Sequence, residues 1–145
     1  MRDLAIQNGD VVLTENGFEM TRAAEKVAQD LKYCILNQLN FNRFIPNIGS
    51  SIDRYIGVFA DEEILHEIRQ AIRAAIKVYQ DEQLKEIQER IEIYGDPLYA
   101  IGLSEPDSIV KEWNQVEAQV RGNRVIVGIK FTTFTEDTDF TYFGL

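Results

Sequence analysis

A chain that performs acid–base, nucleophilic or metal chemistry carries the residues for it at workable spacing, and in these 145 residues the candidates are few. The sole histidine, His66, stands beside Glu62, Glu63 and Glu67 and off the apolar stripe of its segment, as a solvated helix residue does. The sole cysteine, Cys34, falls on an apolar stripe, where a buried and inert thiol is the default. No spacing supports a Cys–His dyad. One histidine and one cysteine cannot form a zinc site with the usual ligands unless carboxylates complete it. No P-loop, dinucleotide fingerprint or nucleophile elbow occurs. A glycosidase needs two carboxyl groups about 5 to 9 Å apart, one of them with a raised pKa. Among 24 acids close pairs arise by chance, and none stands alone in an apolar run. Glu19, between Phe18 and Met20, comes nearest, and strand alternation turns it to solvent. The sequence therefore assigns no catalytic residue, no metal and no cofactor, and is read as that of a non-enzyme.

Composition narrows the remaining classes. The length suits one domain, residues 1–145, with a real core, and 45% of the residues are hydrophobic. No apolar run approaches the roughly 18 residues of a membrane span. Met1-Arg2-Asp3-Leu4 lacks the layout of a signal peptide, and one cysteine allows no internal disulfide, so folding in the cytoplasm is expected. The formal net charge is −9, with 15 basic residues scattered among 24 acids. Phosphate contacts need a basic face, and anionic lipids repel an acidic one. Direct contact with nucleic acid or membrane is not expected, which leaves protein partners.

The elements follow from periodicity and punctuation. Leu4–Ile6 and Val11–Leu13 flank Asn8-Gly9-Asp10, a hairpin signal, and Glu15-Asn16-Gly17 turns the chain again before Phe18 and Met20. This predicts an N-terminal β-ribbon, with no internal repeat. Met20, Ala24, Val27, Leu31, Cys34 or Ile35, and Leu39 share one helical face, with Thr21 as N-cap and an end before Asn42. Pro46, Asn47, Gly49 and Ser50 then form a structural corner: Pro46 blocks a helix, Gly49 suits φ > 0, and Ser50 can cap the next helix. Ser50-Ser51-Ile52-Asp53 resembles a capping box, opening a short helix with the stripe Ile52, Tyr55, Ile56 and Phe59, limited by Gly57. Asp61-Glu62-Glu63 places acid at the start of a long helix built on Ile64, Ile68, Ile72 and Ile76. From Leu84 to Tyr94 helix and strand periods compete, and propensity favours helix. Gly95 to Asp107 reads as a loop. Val116–Val120 and Val125–Phe131 alternate about the turn Gly122-Asn123, a hairpin, with Trp113 as a core or rim aromatic before it. The aromatic, β-prone tail Phe140, Tyr142 and Phe143 either covers its own sheet edge or lends itself to a partner's.

This order of elements resembles the baseplate proteins of contractile phage tails similar to gene product twenty-five, the sheath initiators. Related members occur in type VI secretion and other contractile injection machines. The resemblance runs from Asp3 to about Phe131 and is strongest from Leu36 to Ile56. It implies an α+β fold: two main helices and one short helix on a small, mostly antiparallel sheet. It also implies a strand after the third helix, which turns Ile87–Tyr94 toward strand. Family members often carry Glu-Pro-Arg after that helix as a docking contact, and here Asp81-Glu82-Gln83 stands in its place. The Gly95–Asp107 segment is longer than usual, as a partner-specific loop would be.

The resemblance implies a structural role in the baseplate of a virion tail assembled in the host cytoplasm. The partners are tail sheath protein and baseplate wedge proteins, with six copies of this chain per baseplate. The mechanism that fits is strand addition, with an open sheet edge offered to the first sheath ring. The expected edge lies on the hairpin, at Val125, Val127, Ile129 and Phe131, joined by Phe140, Tyr142 and Phe143. Lys130 there would deter wrong pairing. The alternatives are a wedge protein that bridges other subunits without sheath contact, and a lysozyme-like glycan hydrolase.

Overall fold

Alternation of apolar and polar residues from Val125 to Thr133 sets the frame of the molecule. A computed structural model describes residues 3–7, 10–21, 23–97, 99, 106–135 and 138–145. Nine strands (β1 Asp3–Leu4, β2 Ile6–Gln7, β3 Asp10–Val11, β4 Leu13–Thr14, β5 Gly17–Phe18, β6 Met20–Thr21, β7 Val110–Arg121, β8 Arg124–Thr133, β9 Thr138–Gly144) and two helices (α1 Ala23–Leu36, α2 Glu62–Tyr94) form among them. β7, β8 and β9 make an antiparallel sheet with β8 in the middle. One face of β8 carries Val127, Ile129, Phe131 and Thr133, all with zero exposure. Across the ladder Ala118 and Phe143 oppose Val127, and Val116 and Thr141 oppose Ile129. Both helices cover this face, α2 nearer β7 and α1 nearer β9. Each large apolar side chain buried there contributes about 1.5–3 kcal/mol. The expected α+β architecture and the 121–124 hairpin are thus present, with Gly122 at φ 65° as a primed turn requires.

The helices are built from the stripes the spacing indicated. Val27, Leu31, Cys34 and Ile35 of α1 meet Leu65, Ile68, Ile72, Ala75, Ile76 and Tyr79 of α2 in one core. Asp61 caps α2, its carboxylate accepting from the Ile64 amide at 2.9 Å. α2 then runs unbroken for 33 residues, about 50 Å at 1.5 Å per residue. The strand expected over Ile87–Tyr94 does not form. Local energetics prevail: Lys85 pairs with Glu82 and Arg90 with Glu86 at helical spacing, and Gly95 closes the helix with φ 71°. Asp81, Glu82 and Gln83 therefore lie inside α2, not after a helix end.

α1 differs from its expected span at both ends. Thr21 pairs with Asp3 in β6 instead of capping, and the helix stops at Leu36. Ser50 explains the early stop. Its hydroxyl donates to Ile35 O at 2.5 Å and accepts from the Ile52 amide at 3.2 Å. Its amide donates to Asn37 O at 2.9 Å, and its carbonyl accepts from the Leu39 amide at 3.3 Å. This replaces the capping box, because Ser51, at the N-cap position, makes no side-chain cap bond. Ile52–Tyr55 forms a single 3-10 turn, ended by Gly57 at φ 81°.

The N-terminal ribbon is a ring of three short ladders: β1 with β6, β2 with β3, β4 with β5. At the break in each pair, the Ala5 amide donates to Glu19 O, Glu19 to Val12 O, and Val12 to Ala5 O, at 2.9, 3.0 and 2.9 Å. These residues stand seven apart, a period their dissimilar side chains hide in the sequence. Gln29 of α1 ties the ring to the core, its amide bonding Leu4 O and the Ile6 N–H, each at 2.9 Å. Most of the Gly95–Asp107 loop lies outside the described residues; Pro106–Ser108 forms a 3-10 turn at its end.

At Gly49, φ is 144° and a Cβ would lie 2.6 Å from Gln38 O, so Gly49→Ala should cost upward of about 2 kcal/mol. Ser50→Ala should cost about 1–3 kcal/mol by orphaning buried backbone groups. Denaturant unfolding of both variants beside Ser51→Ala, expected near neutral, measures this.

Candidate partner interface

A strand can present its backbone to a neighbour only if one of its margins is unpaired. β8 fails this test, because β7 and β9 pair with it on both sides. Val125, Val127, Ile129 and Phe131 therefore cannot form an open edge, and the last three point into the core. Lys130 on the same strand cannot guard one. The tail covers its own sheet: Phe140, Tyr142 and Phe143 pair with Lys130, Gly128 and Val127, and the Phe143 ring is buried.

The margins left to the sheet are the outer sides of β7 and β9. β7 is irregular, with register shifts between Val110 and Glu112 and between Trp113 and Gln115. Its first residues are also held by α2. Gln80 Nε2 donates to Val110 O and Lys111 O at 3.2 and 2.8 Å, and Gln83 Oε1 accepts from the Val110 amide at 3.1 Å. Bulges and such coverage blunt an edge. β9 pairs in unbroken register from Thr138 to Gly144, and no further strand adjoins its outer side among the described residues.

The three residues in the place of the docking triplet have different settings. Asp81 is exposed, and Glu82 meets Lys85 at 3.9 Å. Gln83 works within the fold, its Nε2 also donating to Tyr79 O–H and to Ser108 O at 3.0 and 3.1 Å. Tyr79 in turn donates to Asp30 at 3.0 Å, and Asp30 pairs with Lys26. This chain of bonds joins α1, α2 and β7. Nothing in the types Gln29, Gln80 or Gln83 marked them in the sequence as cross-element clamps. At the corner, Gly49 and Ser50 are buried while Pro46 and Asn47 are exposed, with Phe41 and Phe44 beside them open to solvent. Arg43 lies over the Phe44 ring at 4.8 Å.

The two residues that could do chemistry stand far apart in character. His66 is exposed on α2, 3.5 Å from Gln70. Cys34 is buried, its thiol 3.7 Å from Ala75 O. Burial pushes that thiol up from 9.0 to about 11, against the weaker pull of the Gly49 backbone. Among the described residues no cluster of three metal-ligating side chains forms, and no helix is long and apolar enough to cross a membrane.

No protein-family model matches this sequence, and no curated protein does. The fold is similar to that of a protein from Geobacter sulfurreducens whose crystal structure is described as a provisional tail lysozyme. The TM-score is 0.55 and the identity 14%, over 94% of this chain and 95% of that one. At that identity the likeness concerns the fold.

The thiol yields a prediction. The unfolded chain releases the Cys34 proton near pH 9 and the folded chain only near 11. Stability should thus fall between pH 9 and 11, by on the order of 2–3 kcal/mol from this group. Unfolding curves of wild type and Cys34→Val across that range should diverge, with the shallower decline in the variant. Equal slopes would mean that the thiol is not desolvated.

Proposed function

We propose that this chain is a structural component of a contractile tail, a baseplate part on which sheath assembly starts. The observation that carries this reading is the fold likeness, across almost the whole of both chains, to a protein described as belonging to a tail. The order of elements in the sequence points the same way. The partners in this reading are tail sheath protein and baseplate wedge proteins.

The working edge in this proposal is the outer side of β9. A strand added there gains backbone bonds of only about 1 kcal/mol net each. One such contact is weak, while a ring of six copies binding together gains by effective concentration. That would let sheath wait for a finished baseplate.

We favour a non-enzymatic role over the glycan hydrolase that the neighbour's description suggests. The hollow of about 360 Å³ between α1 and the middle of α2 is lined by acids, yet Asp30, Glu82 and Glu86 each face a lysine or arginine. A wedge protein without sheath contact is the second reading. It is favoured by the far end of α2, where Ile93, Tyr94 and Tyr99 are exposed.

Because Cys34 is buried, single surface cysteines can be cross-linked selectively in assembled baseplates. Gly144→Cys on β9 should join sheath protein, and Gln119→Cys on β7 should not. Adducts to wedge proteins alone, through Ile93→Cys, would favour the second reading. Absence of any sheath adduct would overturn the sheath-initiating role. Purified protein should release no sugar from peptidoglycan, and turnover abolished by substituting one acid would reverse the assignment.

A further inference from the structure

Among the described residues the three most exposed phenylalanines are Phe59 at 86%, Phe44 at 80% and Phe41 at 74%. Phe59, with Ile56, edges a groove of about 450 Å³ between the loop 52–60 and the tip of the β7–β8 hairpin. Phe41 and Phe44 belong instead to the corner loop 39–48, and that loop is held shut at its base. The Asn40 amide donates to Pro46 O at 2.9 Å and the Leu39 amide to Ser50 O at 3.3 Å, while Gly49 leaves no room for a Cβ against Gln38 O. Within the loop the Phe41 amide donates to Gln38 O at 3.1 Å, the Ile48 amide to Ile45 O at 3.2 Å and the Phe44 amide to Asn42 Oδ1 at 2.9 Å. Asn40 takes the left-handed conformation, φ 66°, that asparagine tolerates. A loop braced in this way has little freedom left to lose on binding. Aromatic rings held in water on such a backbone have the character of interface anchors.

The charge of this loop differs from that of the chain. The chain carries −9, yet residues 37–52 contain no Asp or Glu and a single cation, Arg43. The Arg43 guanidinium lies over the Phe44 ring, 4.8 Å from its centre. Arg43 is exposed, and among the described residues no acid meets it. The inner side of the loop is different. Ile45 and Ile48 line the acid-bearing hollow between α1 and α2, and Phe41, Arg43 and Phe44 do not. A ring and a guanidinium in contact, the one unburied and the other unpaired, fit an apolar cleft that carries a carboxylate. A stacked guanidinium keeps its N–H edge free to bond a carboxylate in a two-pronged geometry. A lipid surface fits less well, because anionic headgroups repel a chain of −9.

We propose that the loop 39–48 is a docking knob for a partner protein whose surface offers an apolar cleft with an Asp or Glu at its rim. The Phe41 and Phe44 rings enter the cleft, and Arg43, carried on Phe44, meets the carboxylate. Acids elsewhere on the chain repel such a rim, so the acid-free loop is the place that admits it, and this fixes the orientation of docking. The knob is separate from the sheet margin of β9 and does not depend on the role proposed for that margin.

The test uses the full chain in the cells that make it, with the photoreactive substitution Phe44→p-benzoylphenylalanine. Irradiation should join the chain to a partner protein at a peptide that mixes apolar residues with Asp or Glu. The same substitution at Gln119 should not reach that peptide. The yield of the adduct should fall about tenfold or more with Arg43→Glu, and return when the acid of the partner peptide is changed to Lys. Phe41→Ser should lower it likewise. Phe41→Ser and Arg43→Glu should leave the melting point of the purified chain within about 2 °C of wild type, because both side chains are exposed. A larger fall would make these side chains structural and overturns the proposal. So does the absence of an adduct, an adduct to lipid or to a second copy, or one that Arg43→Glu leaves intact. Failure here leaves the tail role standing, because this assay reads the corner loop and the cysteine cross-links read the margin of β9.

Discussion

Val127, Ile129, Phe131 and Thr133 of β8 are wholly removed from water, and a strand reaches that state only when both backbone margins and the apolar face are covered. The other large elements can be read as the cover. β7 and β9 take up its backbone on either side, and α1 and α2 close its apolar face. The consequence reaches into function. A strand so placed cannot also be offered to a neighbour, so any exchange of backbone with a partner is pushed outward by one strand. The aromatic tail, which alone would be an adhesive segment, becomes the seal on one side of the core.

Around this apolar centre the elements are joined by side-chain amides and hydroxyls. Gln29 fastens the N-terminal ring to α1, Gln80 and Gln83 fasten the start of β7 to α2, and Ser50 fastens the corner to the end of α1. Among the described residues no buried side-chain nitrogen or oxygen lacks a partner. This matters because an unsatisfied buried polar group costs about 1–3 kcal/mol, as much as an apolar contact gains. These joints use neutral groups, so they hold without the desolvation cost of burying charge. Of the acids, half-buried Asp30 enters such a joint through Tyr79 and Lys26, while Glu62, Glu82 and Glu86 meet arginine or lysine along α2.

The surfaces the core does not need include the outer side of β9, the exposed C-terminal end of α2, and the groove beneath the hairpin tip. They differ in physical character. The first offers backbone, the second an amphipathic helix with aromatic residues at its end, and the third a mostly apolar trough. The role proposed above would need contacts on several sides, and these surfaces lie on separate elements.

Much of the architecture was legible in the residues. The stripe from Ile64 to Ile76, the alternation from Val125 to Phe131 and the Gly122-Asn123 turn specify their elements locally, through period and backbone preference, and all three form. Propensity also pointed rightly to helix over Leu84–Tyr94; the family likeness drew the reading to strand, and ion pairs three and four residues apart with a glycine cap decided for helix. Other features had no local signal. The ring through Ala5, Val12 and Glu19 is made by backbone alone, so unlike side chains can occupy equivalent places. The roles of Gln83 and Ser50 depend on which distant segment comes within hydrogen-bonding reach. By itself, then, the sequence determined the long helix, the central hairpin and the faces they bury, because those choices are made between residues a few positions apart; it did not foresee that Ile56 and Phe59 stay exposed. Only the tertiary structure decided which strand is central and which margins stay open, because each is a relation between segments that the chain must fold to bring together.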